Sequence, residues 1–129
     1  MSYGKADLLA VASTADIGST ELDVLSITEG AKLKDSQLTI YLKGVLGANT
    51  ELQVRYYAQP EVDGEWYLLP YKNETSGDLE NLPSVLKSGV LQTFDSVPLP
   101  ACFGFKVTVQ GTSATTNGTL DTRVMSRDN

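Results

Sequence analysis

The strongest constraint on the fold is an alternation of apolar and polar residues towards the end of the chain. Apolar side chains occupy every second position of one run and recur in a second run after a loop, at Phe103, Phe105, Val107 and Val109, and then at Leu120 and Val124. A repeat of two residues places one face of each strand in a core and the other in solvent. The polar, glycine-bounded loop 111–118 between the runs therefore predicts an antiparallel hairpin.

Two earlier segments alternate in the same way, 37–43 and 52–57. Between them and the C-terminal hairpin, Asp63-Gly64 predicts a type I′ turn, after which 66–69 returns antiparallel to the preceding strand. The four runs together predict a common core. Its members are Leu38, Ile40, Leu42, Leu52, Val54, Phe103, Phe105, Val107, Val109, Leu120 and Val124.

The connection 70–89 carries a different spacing. Leu79, Leu82 and Leu86 are separated by three and four residues, which predicts a helical turn or two that ends at Gly89. A strand over 90–97 should follow, broken by the prolines at positions 98 and 100. The pattern as a whole predicts an all-β protein, an antiparallel β-sandwich of the jelly-roll or immunoglobulin-like type with at most one short helix.

The 129 residues are enough for one domain. Within it we predict an N-terminal arm over 1–37 with one or two short strands, and the sandwich proper over 38–129. The apolar run at Leu8, Leu9 and Val11, preceded by Tyr3, has two interpretations. It either anchors the arm on a neighbouring chain or forms the first strand of the chain's own sheet, and the sequence leaves both open.

Residue types limit the chemistry. The chain has no histidine and a single cysteine, Cys102, so a Ser-His-Asp or Cys-His site cannot form. Glu61, Asp63 and Glu65 surround a tight turn and are expected to be solvated rather than paired across a substrate. We therefore expect no enzymatic activity, no catalytic residues, no bound metal and no cofactor.

The charge of the chain is uneven. The net charge is −6; residues 1–82 hold 13 acidic and 6 basic residues, whereas residues 83–129 hold 3 and 4. No basic stripe is present to neutralise phosphates, so we expect no direct nucleic-acid binding. No signal peptide and no apolar run of membrane-spanning length is evident. We therefore expect the chain to be synthesised in a cytoplasm and not to associate with a membrane.

Four aromatic residues cluster in sequence around the predicted turn, Tyr57, Trp66, Tyr67 and Tyr71. Trp66 shares the parity of Leu68, which favours a core position, but tryptophan and tyrosine are also enriched at the centres of interfaces. Outward tyrosines at these positions could stack on sugar rings or contact another protein. We treat all four as candidate partner contacts.

Two segments carry a resemblance to a known class. The strand 52–57, followed by Gly64-Glu65-Trp66-Tyr67, resembles the strand-turn-strand of small virion proteins of tailed bacteriophages. The Phe-x-Phe-x-Val-x-Val-x-Gly strand over 103–111, with its Thr/Ser/Gly loop and last strand, is also similar to the ending of those virion proteins. The resemblance covers about residues 38–129 and leaves the arm unmatched.

This resemblance implies a structural component of a bacteriophage particle, with no catalytic residues to carry over. The implied types are a capsid decoration protein and a neck or tail accessory protein. The expected partners are other virion proteins, above all the major capsid protein, and further copies of the chain in a homo-oligomer. The implied location is the virion, assembled in the cytoplasm of the bacterial host. A carbohydrate- or receptor-binding β-sandwich module is the alternative that the aromatic residues leave open.

Overall fold

The computed structural model describes residues 5–28, 33, 37–73, 79–80, 83–100 and 102–128. These described residues contain eleven strands: β1 (Lys5–Ile17), β2 (Leu22–Ile27), β3 (Gln37–Val45), β4 (Glu51–Gln59), β5 (Tyr67–Leu68), β6 (Tyr71–Asn73), β7 (Leu79–Glu80), β8 (Ser84–Lys87), β9 (Gln92–Pro98), β10 (Gly104–Gln110) and β11 (Gly118–Asp128). No helix among the described residues has the length and apolar character needed to span a membrane.

The strands form two antiparallel sheets. The six-stranded sheet has the order β1-β11-β3-β9-β6-β7, and the five-stranded sheet has the order β2-β10-β4-β5 with β8 also paired to β4. The pairs are nested, because β1 pairs with β11, β2 with β10, β3 with β9 and β4 with β8. This nesting is the connectivity of a jelly roll, with β5, β6 and β7 inserted. The predicted antiparallel sandwich is confirmed.

The inner faces of both sheets form one core. Ten of the predicted core residues are buried, and the largest fully buried side chains include Tyr56, Phe105, Leu86 and Ile17. Phe103 is the exception, since it precedes β10 and is only half-buried. Its position outside the ladder removes the alternation that would have directed its side chain inwards.

The predicted helical turn within 70–89 is wrong for the described residues. Leu79 lies in β7 and Leu86 lies in β8, so their spacing spans two strands; Leu82 lies outside the described residues. The turn before β5 is where the sequence predicted it, and β5 returns antiparallel to β4. Its geometry differs from the predicted type I′, because only Asp63, and not Gly64, has a positive φ.

Within the predicted arm, residues 5–28 supply one strand to each sheet. β1 has 13 residues, longer than the short strands predicted there, and pairs with β11 along its length, apart from irregularities between Leu8 and Ala10 and between Thr14 and Ile17. Leu8 to Val11 therefore form part of the first strand of the chain's own sheet. Whether they also contact a neighbouring chain remains a prediction.

Asn49 joins three turns at one end of the sandwich. Its side-chain Nδ2 donates to the carbonyl oxygens of Ile17 and Leu46, and its Oδ1 accepts from the backbone N–H groups of Thr112 and Ser113 at 2.9 Å each. The amide is buried. One side chain thus fixes the ends of β1, β3 and β10 relative to one another.

Candidate functional site

A groove of about 590 Å³ lies on the outer face of the six-stranded sheet. Residues in register on four adjacent strands form two rows across it. One row is Val11, Arg123, Tyr41 and Phe94, and the other is Ser13, Asp121, Lys43 and Gln92. We call these eight residues the outer groove. They project away from the core because side chains alternate between the two faces of each strand.

The centre of the outer groove is aromatic. The rings of Tyr41 and Phe94 stack with centroids 5.5 Å apart and an interplanar angle of 24°. Tyr41 is 47% exposed and Phe94 43%, and Val11 is 55% exposed at the β1 margin. Adjoining apolar side chains that are exposed to solvent are a feature of binding surfaces.

Both rows of the groove contribute charged side chains. Lys43 and Arg123 are exposed cations, and Asp121 is the groove's carboxylate, which accepts a hydrogen bond from the Ser13 hydroxyl at 2.9 Å. The groove is therefore more cationic than the chain as a whole, which carries a net charge of −6. It suits an apolar or aromatic group flanked by carboxylates or other hydrogen-bond acceptors.

The outer face of the five-stranded sheet is occupied by its own side chains. Lys106 Nζ lies 4.7 Å from the centroid of the Trp66 ring and 5.3 Å from that of Tyr57, and it is 4.0 Å from Asp23 Oδ1. Such cation–π contacts satisfy the ring faces within the chain. Trp66 is half-buried here and is not part of the core cluster.

A polar network continues this surface. Glu21 Oε2 accepts hydrogen bonds from the hydroxyls of Thr108 at 2.6 Å and Tyr57 at 3.1 Å. Burial, and then the hydrogen bond to Glu21, raise the pKa of the Tyr57 phenol. Arg55 donates to Gln110 and Gln53 beside it. Because these side chains already bind one another, the outer face of the five-stranded sheet is a weaker candidate for partner binding than the outer groove.

The candidate contacts predicted from the sequence are dispersed. Leu8 and Val11 are exposed on β1 and Leu9 is half-buried, whereas Tyr3 lies outside the described residues. Tyr67 is 56% exposed on β5. These positions do not form one cluster with the Tyr57–Trp66 pair.

Tyr71 requires a correction. It is only 2% exposed and packs edge-to-face on Tyr56, with ring centroids 5.7 Å apart. It is therefore a core residue and cannot present its ring to a partner. Closeness in sequence to the other aromatic residues did not reveal this. Tyr71 lies beyond Pro70 in the other sheet, where the pairing of β6 with β7 determines which face its side chain occupies.

The remaining acidic groups and the cysteine were also considered as candidates from the sequence. Glu61, Asp63 and Glu65 are exposed around their turn, as expected. Within the described ranges, no three His, Cys, Asp or Glu side chains come close enough to hold a metal ion. Burial raises the pKa of the Cys102 thiol, which lowers the thiolate fraction at neutral pH.

The sequence did not single out Tyr41 or Phe94 as site residues. They stand 53 positions apart, and only the pairing of β3 with β9 brings them opposite each other. The sequence held an indication for Tyr41 alone, since it lies on the polar face of the alternating run 37–43, where a large aromatic side chain is unexpected.

Comparison with known proteins shows the fold and no family. No protein-family model and no curated protein sequence matches the chain. The solved structure of the SPBc2 prophage-derived protein YomS matches with a TM-score of 0.56 and 18% identity, covering 98% of this chain and 99% of that one. A virus-like particle of the extra small virus of the prawn Macrobrachium rosenbergii aligns at a TM-score of only 0.28 and 14% identity, over 100% of this chain and 82% of that one. The chain is thus similar in fold, over nearly its whole length, to a protein of prophage origin.

Proposed function

We propose that this chain is a non-enzymatic structural protein of a bacteriophage particle, which binds the capsid lattice as an oligomer and stabilises it. The observation that carries the proposal is the outer groove, an exposed stacked aromatic pair with cations beside it on an otherwise acidic chain. Such a surface suits protein binding. The bacteriophage setting rests on likeness of fold to a prophage-derived protein, which is an argument by analogy.

The chemistry of the groove defines the partner segment. An apolar or aromatic side chain of the capsid protein would insert beside Tyr41 and Phe94, and carboxylates flanking it would meet Lys43 and Arg123. The buried aromatic contact would supply most of the affinity, and the charges would set orientation and association rate. Binding should therefore weaken only modestly with added salt.

The first experiment locates the chain. An epitope-tagged copy is expressed in a host that produces the phage, and particles are purified and quantified by mass spectrometry. A copy number comparable to that of the major capsid protein is the expected result. A far smaller number would place the chain at the neck or tail instead, and its absence from particles would reject a virion role.

The second experiment tests the groove. Tyr41→Ala with Phe94→Ala should abolish particle binding while the circular dichroism spectrum is retained, because both side chains are exposed. Leu68→Ala is the matched control, since Leu68 is as exposed but lies on β5 of the other sheet. Equal loss in both variants would contradict a specific role for the groove.

A saccharide-binding module is the second candidate, favoured by the same exposed aromatic pair. Sugar rings stack on exposed aromatic faces, and Lys43, Asp121 and Gln92 could hydrogen-bond to their hydroxyls. A glycan array separates the two functions. Binding of a defined glycan, lost in the Tyr41→Ala, Phe94→Ala variant, together with no binding to particles, would favour the saccharide module.

A further inference from the structure

Among the described residues, β1 is an edge strand of the six-stranded sheet. β1 pairs with β11 along one edge, and no strand among the described residues pairs with its other edge. Every second residue of an antiparallel edge strand directs its backbone N–H and C=O groups outwards. Those groups need a partner, which is water or another strand.

The usual protections of an edge are sparse along β1. The opposite edge of the same sheet is β7, of which two residues are described, whereas β1 has 13. Between Leu8 and Ala15 the strand contains no charged residue and no proline. Irregularities interrupt it after Leu8 and after Thr14, which leaves 10–14 as a regular segment open to pairing.

We infer that β1 pairs antiparallel with β1 of a second copy of this chain, about a two-fold axis near residues 10–14. Two six-stranded sheets would then join into one sheet of twelve strands. Antiparallel pairing about a two-fold axis makes a strand its own complement, so the same surface serves both copies.

The uncharged segment 10–14 is a place where two acidic copies can meet without bringing like charges together. With a net charge of −6, two copies repel each other at most approaches. The segment 10–14 consists of Ala, Val, Ala, Ser and Thr, and so brings no like charges together. Pairing also covers apolar surface at Val11, which is 55% exposed.

The dimer would place two outer grooves side by side, because Val11 and Ser13 belong both to β1 and to the groove. A particle lattice presenting repeated partner segments would then be bound at two points, which raises avidity without new contacts. The avidity argument rests on the proposed function, whereas the dimer itself does not. Self-association of the purified chain is measured without particles, so the two can fail separately.

The test uses the purified full chain in analytical ultracentrifugation over a range of concentrations, with hydrogen exchange of the backbone amides. A dimer is expected, with exchange of amides in 10–14 slowed at high concentration. Val11→Lys should weaken the dimer about tenfold or more, because edge lysines block strand pairing. Val45→Lys is the matched control: Val45 is 59% exposed on β3, an internal strand of the same sheet.

Either of two results would overturn the inference. One is a chain that stays monomeric at every concentration, with exchange in 10–14 independent of concentration. The other is a dimer that Val45→Lys disrupts and Val11→Lys does not, which would place the contact on the sheet face. Melting temperatures close to that of the unsubstituted chain verify that both variants fold, as their exposed positions lead us to expect.

Discussion

The Tyr56 hydroxyl donates a 2.6 Å hydrogen bond to Asp95 Oδ2 and thereby joins the two sheets through the core. Tyr56 lies on β4 of the five-stranded sheet and Asp95 on β9 of the six-stranded sheet, and both are fully buried. A carboxyl group inside a sandwich is costly unless hydrogen bonds satisfy it. This pair is therefore a specific link between faces otherwise held together by apolar contacts.

Removing the Tyr56 hydroxyl should destabilise the fold. Tyr56→Phe keeps the ring but takes one donor from the buried Asp95 carboxyl, which should lower the free energy of unfolding by roughly 1–3 kcal/mol. Urea denaturation measures the change. A double-mutant cycle with Asp95→Asn provides the control, because additive effects of the two substitutions would show that the pair is not coupled.

Alkaline pH should destabilise the protein. Burial, and then Asp95, raise the pKa of Tyr56 well above its usual value, and burial with Glu21 raises that of Tyr57. Unfolded tyrosine ionises near pH 10, so above about that pH the unfolded state loses protons first and stability falls as pH rises.

Denaturation between about pH 8 and pH 11 measures this fall. Tyr56→Phe should make stability less dependent on pH over that range, whereas Tyr67→Phe, at a position 56% exposed, should alter it little. An identical pH dependence in both variants and the unsubstituted chain would show that Tyr56 is not responsible.

A charge at the centre of β10 should unfold the domain. Val107 is fully buried, so Val107→Asp places an unpaired carboxylate in the core and should cost more than about 4 kcal/mol. Val45→Asp, at a position 59% exposed, should change stability little. An unaltered melting temperature for Val107→Asp would contradict the assignment of this face to the core.

Loss of the Asn49 side chain should loosen one end of the sandwich. Asn49→Ala removes hydrogen bonds to three turns and should cost roughly 1–3 kcal/mol, with faster amide exchange at Thr112 and Ser113. Asn117→Ala is the control, because the exposed Asn117 amide accepts one hydrogen bond from the Ala48 N–H. An equal effect of the two substitutions would argue against a special role for Asn49.

Fluorescence can follow the contact between Lys106 and Trp66, since Trp66 is the chain's one tryptophan. Lys106→Met removes the cation from the ring face; it should shift the emission of Trp66 and reduce stability by about 0.5–1 kcal/mol. Lys87→Met, at an exposed position on β8, should do neither. Unchanged emission for Lys106→Met would show that the contact is not maintained in solution.

The extent to which the sequence predicted the fold differs from strand to strand. β3, β4, β10 and β11 were predicted because each buries one face and exposes the other, and period-two alternation records that directly. β6, β7 and β8 are too short to show a period, so leucines from two strands mimicked a helical spacing. Phe103 shows that a period does not reveal where pairing begins.

The candidate site was harder to predict than the core. Tyr41 and Phe94 belong to strands whose mutual register depends on contacts distant in sequence, and nothing local encodes that register. The predicted aromatic cluster failed for the complementary reason. Residues near the Asp63 turn are close in sequence, but Tyr71 crosses to the other sheet and enters the core.

The nested pairing has a consequence for synthesis of the protein on the ribosome. β1 is translated before every other described strand, yet its partner β11 is translated after all of them. Only β4 and β8, with the inserted strands, can pair early, and the ladders then close outwards from the middle of the chain. Distant pairing of this kind slows folding. The apolar run from Leu8 to Val11 is thus without its own partner strand until β11 has been synthesised, while a neighbouring nascent chain on the same messenger presents the identical segment.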